Sequence, residues 1–214
     1  MLYILGDSHT RFFSSNLNYK INWPCPNMDY PPYFRSYKIG SNTAKNIHKN
    51  KWDIIHEVLK NEPINKDNDY VAFNLGEIDC RYTIAKKIII DKLDQNTIIN
   101  EAIESYFKVF LKLKYDKHYL YNNLLCIGPI ASYGGEMSKH IYYGNDIQRN
   151  QITLKFNNKL RSLCANENIQ FVTLFDYLID NNMRTKNNFY YDIHLNNKAQ
   201  PEMINRLKNK EIIK

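Results

Sequence analysis

Apolar positions along the chain follow two rhythms. Runs that are apolar at nearly every position occur at 2–5, 71–75, 124–127 and 169–174, with a weaker one at 35–39. Such runs predict strands buried on both faces. Between them Ile99, Ile103, Tyr106, Phe110 and Leu113 recur at intervals of three and four, which predicts a helix with one buried stripe, capped by Asn96 or Thr97. A second stripe runs through Ile152, Phe156, Leu160 and Leu163, and a terminal helix is expected over 197–208 with Pro201 near its first turn. Apolar strands separated by helices pair in parallel, because right-handed crossovers place helices over both sheet faces. The expected architecture is therefore α/β, three layers around about five parallel strands, as a single domain over 1–214. Two long loops interrupt it, 22–32 with four prolines and 132–145 with three glycines.

Charge changes this picture little. Lys and Arg outnumber Asp and Glu by 29 to 22, but they are scattered without a run of five or six like charges, the pattern of a solvated basic surface rather than a nucleic-acid partner. Asn, Lys, Ile and Tyr are abundant, a bias expected of a low-G+C genome, so the Asn pairs and the 17 tyrosines carry little weight. Cys25, Cys80, Cys126 and Cys164 lie far apart with no CxxC pair, so neither a zinc site nor a disulfide framework is signalled. His48, His56, His118 and His140 show no metal-ligand spacing, and no metal is expected. About five apolar residues before Gly6 are too few for a secretory core, and the run at 88–90 is far below membrane-spanning length. The expectation is a cytoplasmic protein with no membrane partner; oligomeric state is left open.

In parallel α/β sheets the ligand crevice lies beyond the carboxyl ends of the strands. Gly6-Asp7-Ser8 follows the first run, Gly40 and Asn42 the second, and Gly76 to Arg81 ("GEIDCR") the third, while Asp192 and His194 stand outside the last. These residue types suit serine acyl transfer. A serine hydroxyl becomes nucleophilic when an imidazole takes its proton, and a carboxylate fixes the imidazole tautomer. The N–H groups of Ser8 and Gly40 are candidate oxyanion donors, each good donor being worth about 3 to 4 kcal/mol in the transition state. Ser8 alone would equally cap a helix, His9 reads as a helix-face residue, Asp79 as holding the turn after its strand, and Glu77 and Arg81 as a pair or as substrate contacts.

Gly6-Asp7-Ser8, Gly40, the third block and the His194 region, in this order over residues 6 to about 200, resemble the SGNH or GDSL hydrolases, in a variant with "GDSHT" and "GEIDCR". The resemblance implies a flavodoxin-like sheet, Ser8 as nucleophile, His194 as base, and acyl chemistry on esters or sugar-linked acyl groups. Two positions depart from the family. Ile78 stands where its third block has an oxyanion-hole asparagine, leaving Arg81 or Asn42 as substitutes, and Asp192 precedes His194 by two residues where the family has three. Asp192 then reaches the imidazole from an irregular loop, or a backbone carbonyl orients a Ser8–His194 dyad.

The same constellation serves hydrolysis and transfer. The absence of an export signal and of an apolar lid, the basic balance and the Tyr/Gly loop with Tyr133 favour transfer from a phosphorylated donor such as acetyl-CoA to a hydroxyl or amine of a sugar or glycan. A carbohydrate acetyl esterase and a sugar-binding module with a decayed site are the alternatives. Expected substrate contacts are Asp7, Glu77, Asp79, Arg81 and Tyr133, with no tightly bound cofactor.

Overall fold

The computed structural model describes residues 1–13, 26–27, 34–40, 43–135 and 140–213. Its strands are β1 (Leu2–Gly6), β2 (Pro26–Asn27), β3 (Phe34–Lys38), β4 (Tyr70–Asn74), β5 (Leu124–Ile127) and β6 (Gln170–Val172). They form one sheet in the order β2-β3-β1-β4-β5-β6. β3, β1, β4, β5 and β6 run parallel, and only the two-residue β2 is antiparallel, on β3. Counted in chain order, the five parallel strands lie 2-1-3-4-5, the flavodoxin-like arrangement.

Both faces of the sheet are buried, which is why its strands read as unbroken apolar runs. Tyr3, Leu5, Val71 and Phe73 point into a core shared with α1 (Ile47–Asn50), α2 (Trp52–Asn61), α3 (Gln95–Tyr115) and α4 (Asp146–Asn166). Leu2, Ile4, Ala72 and Leu125 point the other way, toward a 3₁₀ turn (Ser8–Phe13) and α5 (Gln200–Asn209). Side chains such as Ile4 and Leu5, at 0% exposure, contribute roughly 1.5–3 kcal/mol each by leaving water.

The predicted helices form, with shifted details. The cap of α3 is Asp94, not Asn96 or Thr97, because its carboxylate accepts from the Thr97 backbone N–H and hydroxyl, both at 2.8 Å. In α4 the buried stripe steps by four from Ile152 through Phe156 and Leu160 to Cys164, leaving Leu163 half-buried. A 3₁₀ turn (Asn197–Ala199) precedes α5, whose first turn holds Pro201. Two π-helical turns, Asp79–Thr83 and Lys86–Ile90, fill the span after β4, where sequence periodicity gave no element. Cys80, Cys126 and Cys164 are buried free thiols; Cys25 lies outside the described residues. Among the described residues no helix is long and apolar enough to cross a membrane.

Strand register sets where the segments beyond the carboxyl ends begin. Gly6 pairs with Lys38 on one side and Asn74 on the other, and any Cβ there would be driven into the Asn74 carbonyl oxygen. Only glycine lets the carboxyl ends of β1 and β4 stay in register, so that His9 and Glu77, just beyond them, meet at 3.0 Å. Gly40, two residues past β3, has φ +100°, a conformation costly for any residue with a side chain.

Candidate active site

Ser8 opens the 3₁₀ turn after β1, and His194 sits in the loop before α5, tied down by a bridge between Tyr190 and Leu195. Ser8 Oγ and His194 Nε2 are 2.8 Å apart. On the far side of the ring, Nδ1 lies 2.7 Å from Asp192 Oδ1, which also accepts the His194 backbone N–H at 2.7 Å. A carboxylate can only accept, so Nδ1 carries the hydrogen and Nε2 presents its lone pair to the Ser8 hydroxyl. The two-residue spacing is thus sufficient: Asp192 forms a tight turn over its own loop and reaches the imidazole from there.

These groups open onto a cleft of about 290 Å³ lined by Ser8, Ile78, Arg81, Tyr82, His140, Ile141 and Ile193. One wall is formed by His140 and Ile141, from the segment before α4; residues 136–139 lie outside the described residues. The fully buried Arg149 clamps the 132–145 loop, donating to Ser132 Oγ (2.7 Å), the Tyr133 carbonyl (2.8 Å) and the Gly144 carbonyl. A capping box between Asn145 and Gln148 starts α4 where the loop ends.

Beneath the cleft lies a charged layer. His9 Nε2 is 3.0 Å from Glu77 Oε2, and Arg81 Nε donates to Glu77 Oε1 at 2.6 Å while Nη1 donates to the Ile141 carbonyl at 2.6 Å. Asp7 accepts the His9 backbone N–H (2.9 Å), and Asp79 accepts those of Ala44 (2.6 Å) and Lys45 (3.5 Å). Asp7, Glu77 and Asp79, expected to touch substrate, are instead buried, with their carboxylates turned to the protein. Asp79 fastens the segment after Gly40 in addition to taking its own backbone N–H. Tyr133 also departs from expectation: its ring packs on Tyr190 at 5.8 Å while Arg149 holds its carbonyl, and the aromatic that lines the cleft is Tyr82, stacked on Tyr143. Arg81 lines the cleft as well as pairing with Glu77. Asn42 lies outside the described residues. No motif signal marks Ile78, His140 or Ile141 as a lining residue, so sequence reasoning missed them in that role.

Burial and neighbours set the charges. Burial pushes the His194 pKa down to about 4, the His9 cation adding to it. Asp192 opposes this only partly, because its carboxylate is 42% exposed and screened by water. Burial also disfavours a His9 cation, but the Asp7 and Glu77 carboxylates outweigh it and the pKa moves up. Glu77 resists the upward pull of burial through His9 and Arg81, which bring it down to about 2. Burial lifts Asp79 to about 7 against the backbone N–H groups of Ala44, Lys45 and Asp79 itself. Among the described residues no group of three or more His, Cys, Asp or Glu is placed to hold a metal ion.

No protein-family model and no curated protein sequence matches the chain. Solved structures do. An acetylxylan esterase from Geobacillus stearothermophilus, studied as a catalytic mutant, superposes with a TM-score of 0.56 at 14% identity, over 99% of this chain and 93% of that one. A carbohydrate acetylesterase from Sinorhizobium meliloti gives 0.55 at 14% identity, over 98% and 96%. A GDSL-like lipase from Bacteroides thetaiotaomicron gives 0.56 at 11% identity, over 99% and 86%. The chain has the fold these proteins share, the SGNH-type α/β fold.

Proposed function

We propose that this protein is a serine esterase that removes acyl groups, acetyl above all, from carbohydrate. The observation that carries the reading is the unbroken chain from Ser8 Oγ through His194 to Asp192, at 2.8 and 2.7 Å, on the edge of an open cleft. His194 Nε2 takes the hydroxyl proton as Ser8 Oγ bonds to the acetyl carbonyl carbon. The N–H groups of Ser8 and Gly40 serve the oxygen that gains charge, and Asp192 stabilises the imidazolium. His194 returns the proton to the departing sugar oxygen, leaving acetyl-Ser8. Water, deprotonated by the same nitrogen, then releases acetate and restores the hydroxyl.

Fold-sharing structures described as acetylxylan and carbohydrate acetylesterases support hydrolysis of acetylated sugars over the transfer expected from sequence. The basic balance and the Tyr133 loop no longer point to a donor site: Tyr133 packs inward, and the described cleft lining holds a single arginine, already paired.

A substrate panel tests this. Acetylated xylo-oligosaccharides, other acetylated monosaccharides and p-nitrophenyl acetate are incubated with the wild type and with Ser8→Ala, alongside acetyl-CoA plus sugar acceptors. The expected result is acetate release from acetylated sugars, lost in Ser8→Ala with the melting temperature unchanged. Acceptor-dependent release of CoA without ester cleavage would move the assignment to transfer, and sugar binding without turnover would make the chain a binding module.

A further inference from the structure

His9 is the next residue after Ser8, yet it makes no contact with the reacting atoms. Its ring lies against the face of His194, centroids 4.8 Å apart at 38°. It is buried, as are the Glu77 and Arg81 side chains that anchor its Nε2 at 3.0 Å and 2.6 Å further on. The anion that meets its ring is Glu77, held also by Arg81, so a protonated imidazole pairs with a buried carboxylate; Asp7 takes only the His9 backbone N–H, and burial pushes that carboxyl up.

We propose that His9, held by Glu77 and Arg81, is a positioning residue that keeps a positive charge pressed against His194 and thereby sets the proton affinity of the base. The proposal rests on the assignment of His194 as the base for Ser8. The groups facing His194 are Asp192 and Tyr191 from its own loop, His140 from the cleft wall, His9 from the turn after β1 and Glu77 from the end of β4. Arg11 stands over Tyr191 at 5.8 Å, one ring further out. Of these, His9 is the cation in ring contact and buried, where charge is screened least. The downward direction of the His194 pKa agrees with that geometry.

The consequence is chemical. A cation beside the imidazole weakens it as a base toward Ser8 but makes the imidazolium a stronger acid, which favours protonation of a sugar alkoxide, a poor leaving group. It also keeps the base unprotonated into mildly acidic solution. The charge on His9 and Glu77 thus fits the site to alkyl esters of sugar hydroxyls more than to activated esters.

NMR titration of ¹⁵N-labelled imidazoles in the wild type and in His9→Gln, which keeps a donor toward Glu77 but removes the charge, tests the proposal. The expected result is a His194 pKa well below that of a free histidine in the wild type. In the variant it rises by about one pH unit or more, as unit charges about 5 Å apart in a buried site require. The acid limb of the pH–kcat/KM profile moves up by the same amount, and turnover of acetylated sugar falls more than turnover of p-nitrophenyl acetate. A residue that only packed would lower activity equally at every pH and leave the titration in place, and that result would overturn the proposal. An ordinary His194 titration in the wild type would overturn it without any variant, should His9→Gln not fold. A displaced titration with no ester turnover would uphold the coupling and refute the esterase reading.

Discussion

Replacing Asp192 separates what its charge does from what its shape does. Oδ1 accepts both the His194 backbone N–H and Nδ1–H, each at 2.7 Å. In Asp192→Asn the backbone N–H demands an oxygen at that corner, so the amide must present its carbonyl to Nδ1–H and the productive tautomer survives. Only the charge is lost. A hydrogen bond to a charged acceptor is worth roughly 1.5–3 kcal/mol against roughly 0.5–1.5 for a neutral one. Because the carboxylate is 42% exposed, the difference between the lower ends of these ranges, about 1 kcal/mol, applies, or about fivefold in kcat/KM. Asp192→Ala removes the acceptor altogether, freeing both the ring and the loop, and about 2.7 kcal/mol, or a hundredfold, is expected. Initial rates on p-nitrophenyl acetate at pH 8, with melting temperatures measured in parallel, read both numbers. Equal losses in Asn and Ala, or no loss in either, would refute the argument that one oxygen serves two donors of the same residue.

Two further outcomes concern the fold beneath the site. Burial holds Asp79 near 7 in the folded protein while the unfolded chain releases that proton near the ordinary carboxylate value, so folding stability falls as pH rises between the two, by up to roughly 1.4 kcal/mol per pH unit. Asp79→Asn, which keeps an acceptor for the Ala44 N–H, is expected to flatten that decline in urea melts from pH 4 to 8; a parallel decline would refute it. Gly6→Ala forces a methyl group into the Asn74 carbonyl and is expected to cost about 1–3 kcal/mol or more in chemical denaturation, with activity falling as Ser8 shifts; a variant as stable and active as wild type would refute the close approach.

The fold was legible where burial left a simple imprint. Residues 2–5 and 71–75 read as strands because both faces of the sheet are covered, and the Ile99 to Leu113 stripe read as α3 because one face of that helix meets the sheet. The π-helical turns at Asp79–Thr83 and Lys86–Ile90 carry no such period, so the element after β4 stayed invisible. In the site, Ser8, His194 and Asp192 were legible as types at strand ends, whereas the direction of a side chain was not. Asp7, Glu77 and Asp79 stand where the crevice was expected but turn inward, because backbone N–H groups and His9 claim their oxygens. His9 looked like a helix-face residue because α-helical spacing hides what a 3₁₀ turn does, which is to aim it under Ser8 at His194.

The central claim is that Ser8 carries the acyl group. Treatment with an alkyl fluorophosphonate, followed by intact-mass and peptide-level mass spectrometry, tests it most directly. A single adduct on the peptide containing Ser8 is predicted, absent in Ser8→Ala and slowed at least a hundredfold in His194→Ala. Labelling of another residue, or no labelling by a protein that still cleaves acetylated sugars, would contradict it.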